Sequence, residues 1–387
     1  MKSFVWRDKM VTAKRFLTMF WYEDVSEAHL YKDVGGIPYA LARYAGWKTT
    51  FAYADFNGEI HNKDFEKYVK LESIKHSSWR YIQRIRLIKY VWQHALEYDV
   101  INFYHGNKNT KILAHTAKLR NPNIKVYMKL DLGEDKFNDI MSGRVSIDLN
   151  YVDLFTVETK YFYDELKKLE FTNGGVIRYL PNGVSPIEID TERLDKVEKE
   201  NIVITVGRLG TYQKNTELLL EGIAKVDFKI IQEHNWKFYL VGTVEPQFEK
   251  YVDEFFEIHP QLKDYIIFTG PIYDRNALYA LLAKSKIMCM TSRFEGFSLA
   301  IIEGTYFGCY PVLTNYNKGV LDITCNGELG SIANNENVDD FSNKLLICLK
   351  NKDALDDLCP LCRDGARRKF GYDALAKMLD RYLAEIN

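Results

Sequence analysis

The residues best suited to chemistry lie in Ser292-Arg293-Phe294-Glu295-Gly296-Phe297-Ser298-Leu299-Ala300-Ile301-Ile302-Glu303-Gly304. An apolar strand pattern (Ile287–Met290) ends just before this stretch, and a helix is expected to start near Ser298, a good N-cap residue. A carboxylate accepts two hydroxyls well, so Glu295 in the loop and Glu303 in the helix each suit a vicinal diol of a sugar or a ribose. Gly296 lets the backbone come close to a ligand. The free N–H groups at that helix start, with the helix dipole behind them, make an anion site. The plain alternative is one loop carboxylate and one solvated helix carboxylate. Ile301 and Ile302 precede Glu303, however, so the helix reads as largely buried. A buried unpaired carboxylate is costly, and Glu303 therefore calls for a partner.

A second segment, Val206-Gly207-Arg208-Leu209-Gly210-Thr211-Tyr212-Gln213-Lys214-Asn215, leaves a buried strand, turns on two glycines and enters a helix. Arg208 offers a planar fork that matches phosphate oxygens and Lys214 a compact charge. Two solvated loop cations would look the same in isolation. A third segment, Lys32-Asp33-Val34-Gly35-Gly36-Ile37-Pro38, could present bare backbone at Gly35 and Gly36 to a phosphate or sugar. It lacks the spacing of the dinucleotide fingerprint, which argues against a nicotinamide enzyme. Cys359 and Cys362 form a lone C-x-x-C without the second ligand pair of a structural zinc site, and most of the other cysteines read as small buried hydrophobes. No Asp-x-Asp pair is present to carry a metal.

These segments need elements to hold them. With 387 residues the chain is too long for one compact core, so two domains are expected. Short apolar strands alternate with longer amphipathic segments, the pattern of α/β layers on parallel sheets. Strands are expected at 15–21, 49–53, 100–104, 125–130, 154–157 and 176–180, then at 202–206, 237–241, 265–268, 287–290 and 310–313. Helical patterns fall at 38–44, 80–97, 161–169, 216–226, 275–284, 298–307 and 339–349. Pro181-Asn182-Gly183 and Pro186, followed by a charged stretch, mark a break between two doubly wound Rossmann-like domains, residues 1–185 and 186–371. Ligands of open α/β sheets bind beyond the carboxyl ends of the strands, so two such domains imply a cleft between them.

Taken in order, the motifs resemble the retaining family 4 of glycosyltransferases, which has the GT-B fold of two Rossmann-like domains. The family's Glu, seven residues, Glu signature looks like Glu295 to Glu303. Its Gly-Arg…Lys turn looks like Gly207-Arg208…Lys214-Asn215, and its glycine-rich first loop looks like Gly35-Gly36. Its Asn-Gly-Val ending the first domain looks like Asn182-Gly183-Val184. The resemblance implies a hexosyltransferase that takes a UDP or GDP sugar without a metal or other cofactor and retains anomeric configuration. Glu295 would bind sugar hydroxyls, Glu303 the ribose, Arg208 and Lys214 the diphosphate, with Phe297, Ser298 and Leu299 offering it backbone N–H groups, and Ile272 would border the base. The last helix, 372–386, would pack back on the first domain. Where many members carry a histidine near the reacting carbon, this sequence has Lys129-Leu130-Asp131-Leu132-Gly133. Asp131 is therefore assigned to the acceptor or sugar side, with His105 as the alternative. Two rival classes are a sugar-nucleotide epimerase or hydrolase of the same fold and a non-catalytic partner subunit. Intact Glu295, Glu303, Arg208 and Lys214 argue against the second.

The net charge of -1 argues against nucleic-acid binding, which needs a basic excess. No apolar run is long enough to span a bilayer, and the charged N-terminus does not fit a signal peptide, so a cytoplasmic location is expected. Most of the many aromatics read as core, but residues 75–92 interleave Trp79, Tyr81, Tyr90 and Trp92 with Lys75, Arg80, Arg84, Arg86 and Lys89 and contain no acid. Such a helix can lie on an anionic membrane, and a glycan or lipid-linked acceptor would follow. The alternative is an ordinary domain helix with a basic solvent face.

Overall fold

Segments such as Phe16-Leu17-Thr18-Met19-Phe20 are buried at every position, which is what a strand covered by helices on both faces requires. The computed structural model describes residues 13–22, 25–104, 106–145, 150–169, 175–185, 187 and 189–386. Its first sheet has seven parallel strands: β1 (Arg15–Phe20), β2 (Lys48–Ala54), β3 (Val69–Ile74), β4 (Val100–Tyr104), β5 (Lys125–Leu130), β6 (Leu154–Val157) and β7 (Val176–Tyr179). They lie in the order 3-2-1-4-5-6-7. The second has six: β8 (Glu200–Val206), β9 (Lys237–Val241), β10 (Ile266–Gly270), β11 (Ser285–Met290), β12 (Tyr310–Thr314) and β13 (Ser331–Ala333), in the order 10-9-8-11-12-13. Strand order reverses between β1 and β4 and again between β8 and β11, and each reversal opens a crevice at the carboxyl edge.

β3 and β13 were not expected from the sequence. β3 is an edge strand with charged and half-exposed positions, and β13 has only three residues, so neither carries an apolar run. The helix expected at 38–44 begins earlier, at Asp33, and runs to Ala45. Gly35 and Gly36 lie buried inside it, and both of their N–H groups donate to the Lys32 carbonyl, at 3.1 and 2.7 Å. They offer no bare backbone to a ligand. A Cβ on Gly35 would sit 2.4 Å from the Leu30 backbone, and one on Gly36 would sit 2.3 Å from the Tyr372 ring. The double glycine serves close packing.

The packing partner of Gly36 is the final helix, Tyr372–Glu385. Its apolar side (Tyr372, Leu375, Leu379, Leu383) fills a core with Phe16, Ile37, Leu41 and Tyr127 of the first sheet's layer. The chain therefore crosses between domains twice. The two connections run side by side: the Val184 N–H donates to the Phe370 carbonyl at 3.0 Å, and Val184 bridges Gly371. Cys359 and Cys362 are buried within the helix Lys352–Phe370, where their thiols point to different carbonyls, those of Lys286 and Leu329.

Candidate active site

Two loops meet at the switch point of the second sheet. The loop after β8 carries Arg208 and Lys214, and the loop after β11 carries Glu295. Lys214 Nζ lies 2.6 Å from Glu295 Oε1, with both side chains largely buried. Ser292 Oγ donates to the same oxygen at 2.7 Å, and Gln213 Nε2 donates to Oε2 at 3.3 Å. Asn317, in the loop after β12, donates to the carbonyls of Glu295 and Gly296 and accepts from the Gly319 N–H at 2.8 Å. Glu295 is thus fixed from four sides. Arg208 is exposed, its guanidinium 3.2 Å from Gln213 Oε1.

The helix after this loop is Leu299–Tyr306, one residue later than expected. Ser298 occupies the N-cap position, but its hydroxyl turns to Met290 Sδ and caps nothing. Its first-turn N–H groups are therefore left without the usual side-chain acceptor. Phe297 is buried against Phe370, and Leu299 is half-buried.

Glu303 has the partner its burial demands. Arg275 Nη1 lies 3.1 Å from its Oε1, and the Tyr279 hydroxyl donates to the same atom at 3.2 Å. Arg275 also sits over the ring of Tyr31 in the first domain, 4.4 Å from its centroid. Ile272 is half-buried against the core beside this cluster.

The first domain meets this surface through the loop after β5. Asp131 is exposed there. The neighbouring Leu132 N–H donates to Glu158 Oε1 at 2.9 Å, and the Leu132 carbonyl would lie 3.5 Å from a Cβ on Gly296. Glu158 follows β6 and is 0% exposed, and its Oε2 has no hydrogen-bond partner among the described residues. Burial, with the Asp131 charge adding to it and Lys129 opposing, pushes its carboxyl up to about 8. Deeper still, Asp33 pairs with Lys129 at 3.0 Å and accepts from the Tyr372 hydroxyl at 3.2 Å, while Lys129 also donates to the Leu180 carbonyl at 2.9 Å. Burial raises the Asp33 carboxyl despite Lys129. A further cross-domain bond runs from the Lys160 N–H to Asp322 Oδ2 at 2.7 Å.

Of the residues expected from the sequence, Glu295, Lys214, Arg208, Gly296, Phe297, Ser298 and Leu299 converge, with Glu303 on the same helix and Asp131 across the cleft. Gly35 and Gly36 belong to the packing of the first helix, and His105 lies outside the described residues. Sequence reasoning passed over Gln213, Ser292, Asn317, Arg275, Tyr279 and Glu158. The first two stood inside the quoted motifs. Glu158 carried a signal of its own, an acid closing an apolar strand.

Two parallel sheets covered by helices and facing one another through switch-point loops define the GT-B class of fold. Solved structures agree over nearly the whole chain. A glycosyltransferase from Rickettsia africae is 15% identical with a TM-score of 0.70, over 97% of this chain and 98% of that one. Anabaena Alr3699/HepE in complex with UDP is 16% identical with a TM-score of 0.64, over 96% and 100%. Residues 186–364 match the family described as Glycosyl transferases group 1. Two curated relatives act in glycan assembly by their names. One is a Campylobacter jejuni GalNAc-alpha-(1->4)-GalNAc-alpha-(1->3)-diNAcBac-PP-undecaprenol alpha-1,4-N-acetyl-D-galactosaminyltransferase, 29% identical over 174 residues, 43% of this chain and 45% of the relative. The other is the amylovoran biosynthesis glycosyltransferase AmsD of Erwinia amylovora, 29% identical over 149 residues, 38% and 39%. The matches thus span less than half the length of these relatives.

Proposed function

We propose that the protein transfers a hexose or N-acetylhexosamine from a nucleotide diphosphate sugar to a glycan or lipid-linked acceptor in cell-surface polysaccharide or glycoconjugate synthesis. The observation that carries this reading is the Glu295–Lys214 pair beside the open helix start at Ser298. A carboxylate for sugar hydroxyls, a cation for phosphate and uncapped N–H groups stand within one loop junction. When the donor binds, its diphosphate takes over Lys214 and Arg208 while Glu295 turns to the sugar. UDP or GDP is the expected carrier, with Glu303, braced by Arg275, on the ribose and Ile272 near the base.

As the bond to the sugar breaks, positive charge grows at the anomeric carbon and negative charge on the diphosphate. Arg208, Lys214 and the helix start stabilise the leaving group as preorganised donors in a cleft. The reaction would need no metal. Attack from the face that the diphosphate leaves, with a phosphate oxygen taking the acceptor proton, retains configuration, and Asp131 stands on the acceptor side. A thermal-shift panel of nucleotide sugars tests the donor site, because a ligand of the native state raises apparent stability. No shift with any UDP or GDP sugar would end this reading, and an inverted product by NMR would end the same-face step.

The helix Arg80–His94 supports contact with an anionic membrane. Trp79 and Tyr81 at its start are 73% and 72% exposed, and Ile85 and Trp92 also face out, among Arg80, Arg84 and Lys89. No helix among the described residues is long and apolar enough to cross a membrane.

A further inference from the structure

The first sheet has its own crevice, where the order reverses between β1 and β4. A cavity of about 580 Å³ opens there, lined by Trp21 and Tyr22 after β1, Phe56 after β2, Gln83 and Arg84 from the helix that follows β3, and Asn109 after β4. This volume lies within the range of small-molecule sites. Tyr22 stacks on Trp21 with ring centroids 5.6 Å apart and planes at 19°, and its hydroxyl donates to the Tyr104 carbonyl at 2.9 Å. Phe56 packs on His76 at 3.6 Å. The aromatic wall is therefore fixed before any ligand arrives.

Gln83 adds the polar feature. It is only 8% exposed, and its Oε1 accepts from the Ser77 N–H at 2.9 Å. Its Nε2 has no hydrogen-bond partner among the described residues. A buried amide donor left unpaired is costly, and a ligand hydroxyl would remove that cost. Arg84 Nε is committed to Asn109 Oδ1 at 2.9 Å, so this cation is held as part of the wall.

We propose that this cavity binds one sugar ring of the acceptor, a ring other than the one that carries the reacting hydroxyl. A pyranose has apolar C–H faces, which suit aromatic rings, and an edge of hydroxyls, which suits amides such as Gln83 and Asn109. The cavity lies on the same edge as Asp131 but over β1 and β4. Asp131 follows β5, two strands from β1, and strands are spaced about 4.8 Å apart, so the cavity stands roughly 10 Å from the expected reacting centre. The acceptor on this reading is a glycan of at least two sugars. The inference rests on the transferase reading for its direction, but the site can be probed alone.

The test is saturation-transfer NMR on the full chain with UDP in excess, which keeps the donor loop filled. The probes are the methyl α-glycosides of N-acetylgalactosamine, N-acetylglucosamine, galactose and glucose. Transfer is expected to at least one of them. Phe56→Ala, and Gln83→Glu, which keeps the bond to Ser77 but removes the donor, should each weaken it about fivefold or more, the effect of one lost hydrogen bond or contact. The thermal shift produced by UDP should be unchanged in both variants, which shows them folded. No transfer to any glycoside, transfer equal to wild type in both variants, or displacement of the glycoside by inorganic phosphate would each overturn the proposal. Failure of UDP to shift the wild-type melting temperature would instead count against the donor reading and leave the glycoside result to stand separately.

Discussion

Replacing Glu158 by glutamine should make the protein more stable at neutral and alkaline pH, and the gain should vanish in acid. The side chain is fully buried, one oxygen holds the Leu132 N–H, and the other has no partner among the described residues. Burial, reinforced by the Asp131 charge, raises its carboxyl from the ordinary 4.5 to about 8. The folded state therefore binds this proton more tightly than the unfolded chain does. The favourable contribution is fully present below pH 4.5, declines through the interval up to about 8, and is flat beyond it. At about 1.4 kcal/mol per pH unit, the whole interval is worth about 5 kcal/mol, of which about 3 is already lost at pH 7. Glutamine accepts from Leu132 as the protonated acid does and cannot ionise. Urea unfolding of both proteins between pH 5 and 9 reads the difference, with tryptophan fluorescence as the probe. Trp236 is the only tryptophan beyond residue 100, so the signal reports chiefly the first domain. The two curves should meet near pH 5 and separate by several kcal/mol at pH 8. A difference constant to within about 0.5 kcal/mol across this range would refute the assignment of a neutral acid at Glu158.

Removing Lys214 as Lys214→Ala should lower kcat by on the order of a hundredfold at saturating donor, the usual scale for one preorganised charge in a transition state. A kcat within about threefold of wild type would remove Lys214 from the leaving-group site. Gly36→Ala places a methyl group against the Tyr372 ring and should destabilise the molecule by about 1–3 kcal/mol. Hydrogen exchange should localise the loss to the final helix, and unchanged protection there would contradict the close approach. The double variant Trp79→Ser, Tyr81→Ser should reduce flotation with anionic liposomes at low salt while leaving the thermal shift by UDP intact. Equal flotation of variant and wild type would exclude this helix as the membrane contact.

Strands largely buried on both faces were readable because burial leaves mostly apolar side chains in sequence: β4, β5, β6 and β9 were delimited to the residue, even though β4 holds the buried Asn102 and β5 the buried Lys129. β3 was not, since an edge strand keeps charged positions such as Lys70 and Glu72. The donor loops were legible for a similar local reason. Glu295, Gly296 and Ser298 are neighbours, and a strand-to-helix turn has to be written in consecutive residues. Contacts between distant residues left no such trace. Arg275 reaches Glu303 only because two helices pack side by side, and Asn317 grips the Glu295 carbonyl from another loop. The double glycine was the opposite case. Its type was correct for close approach, but sequence cannot say whether a ligand or another helix makes that approach, and here it is Tyr372.

The paired crossings at Val184 and Phe370–Gly371 have a mechanical consequence. A single connecting segment acts as a ball joint and leaves two bodies free to twist as well as bend. Two segments tied side by side by a backbone hydrogen bond act as a door hinge with two pins. Rotation about one axis can keep that bond, while shear and twist must break it or stretch a connection. Opening and closing would then carry Asp131 towards and away from Glu295 along one path, so that each closure restores the same register between the two loops.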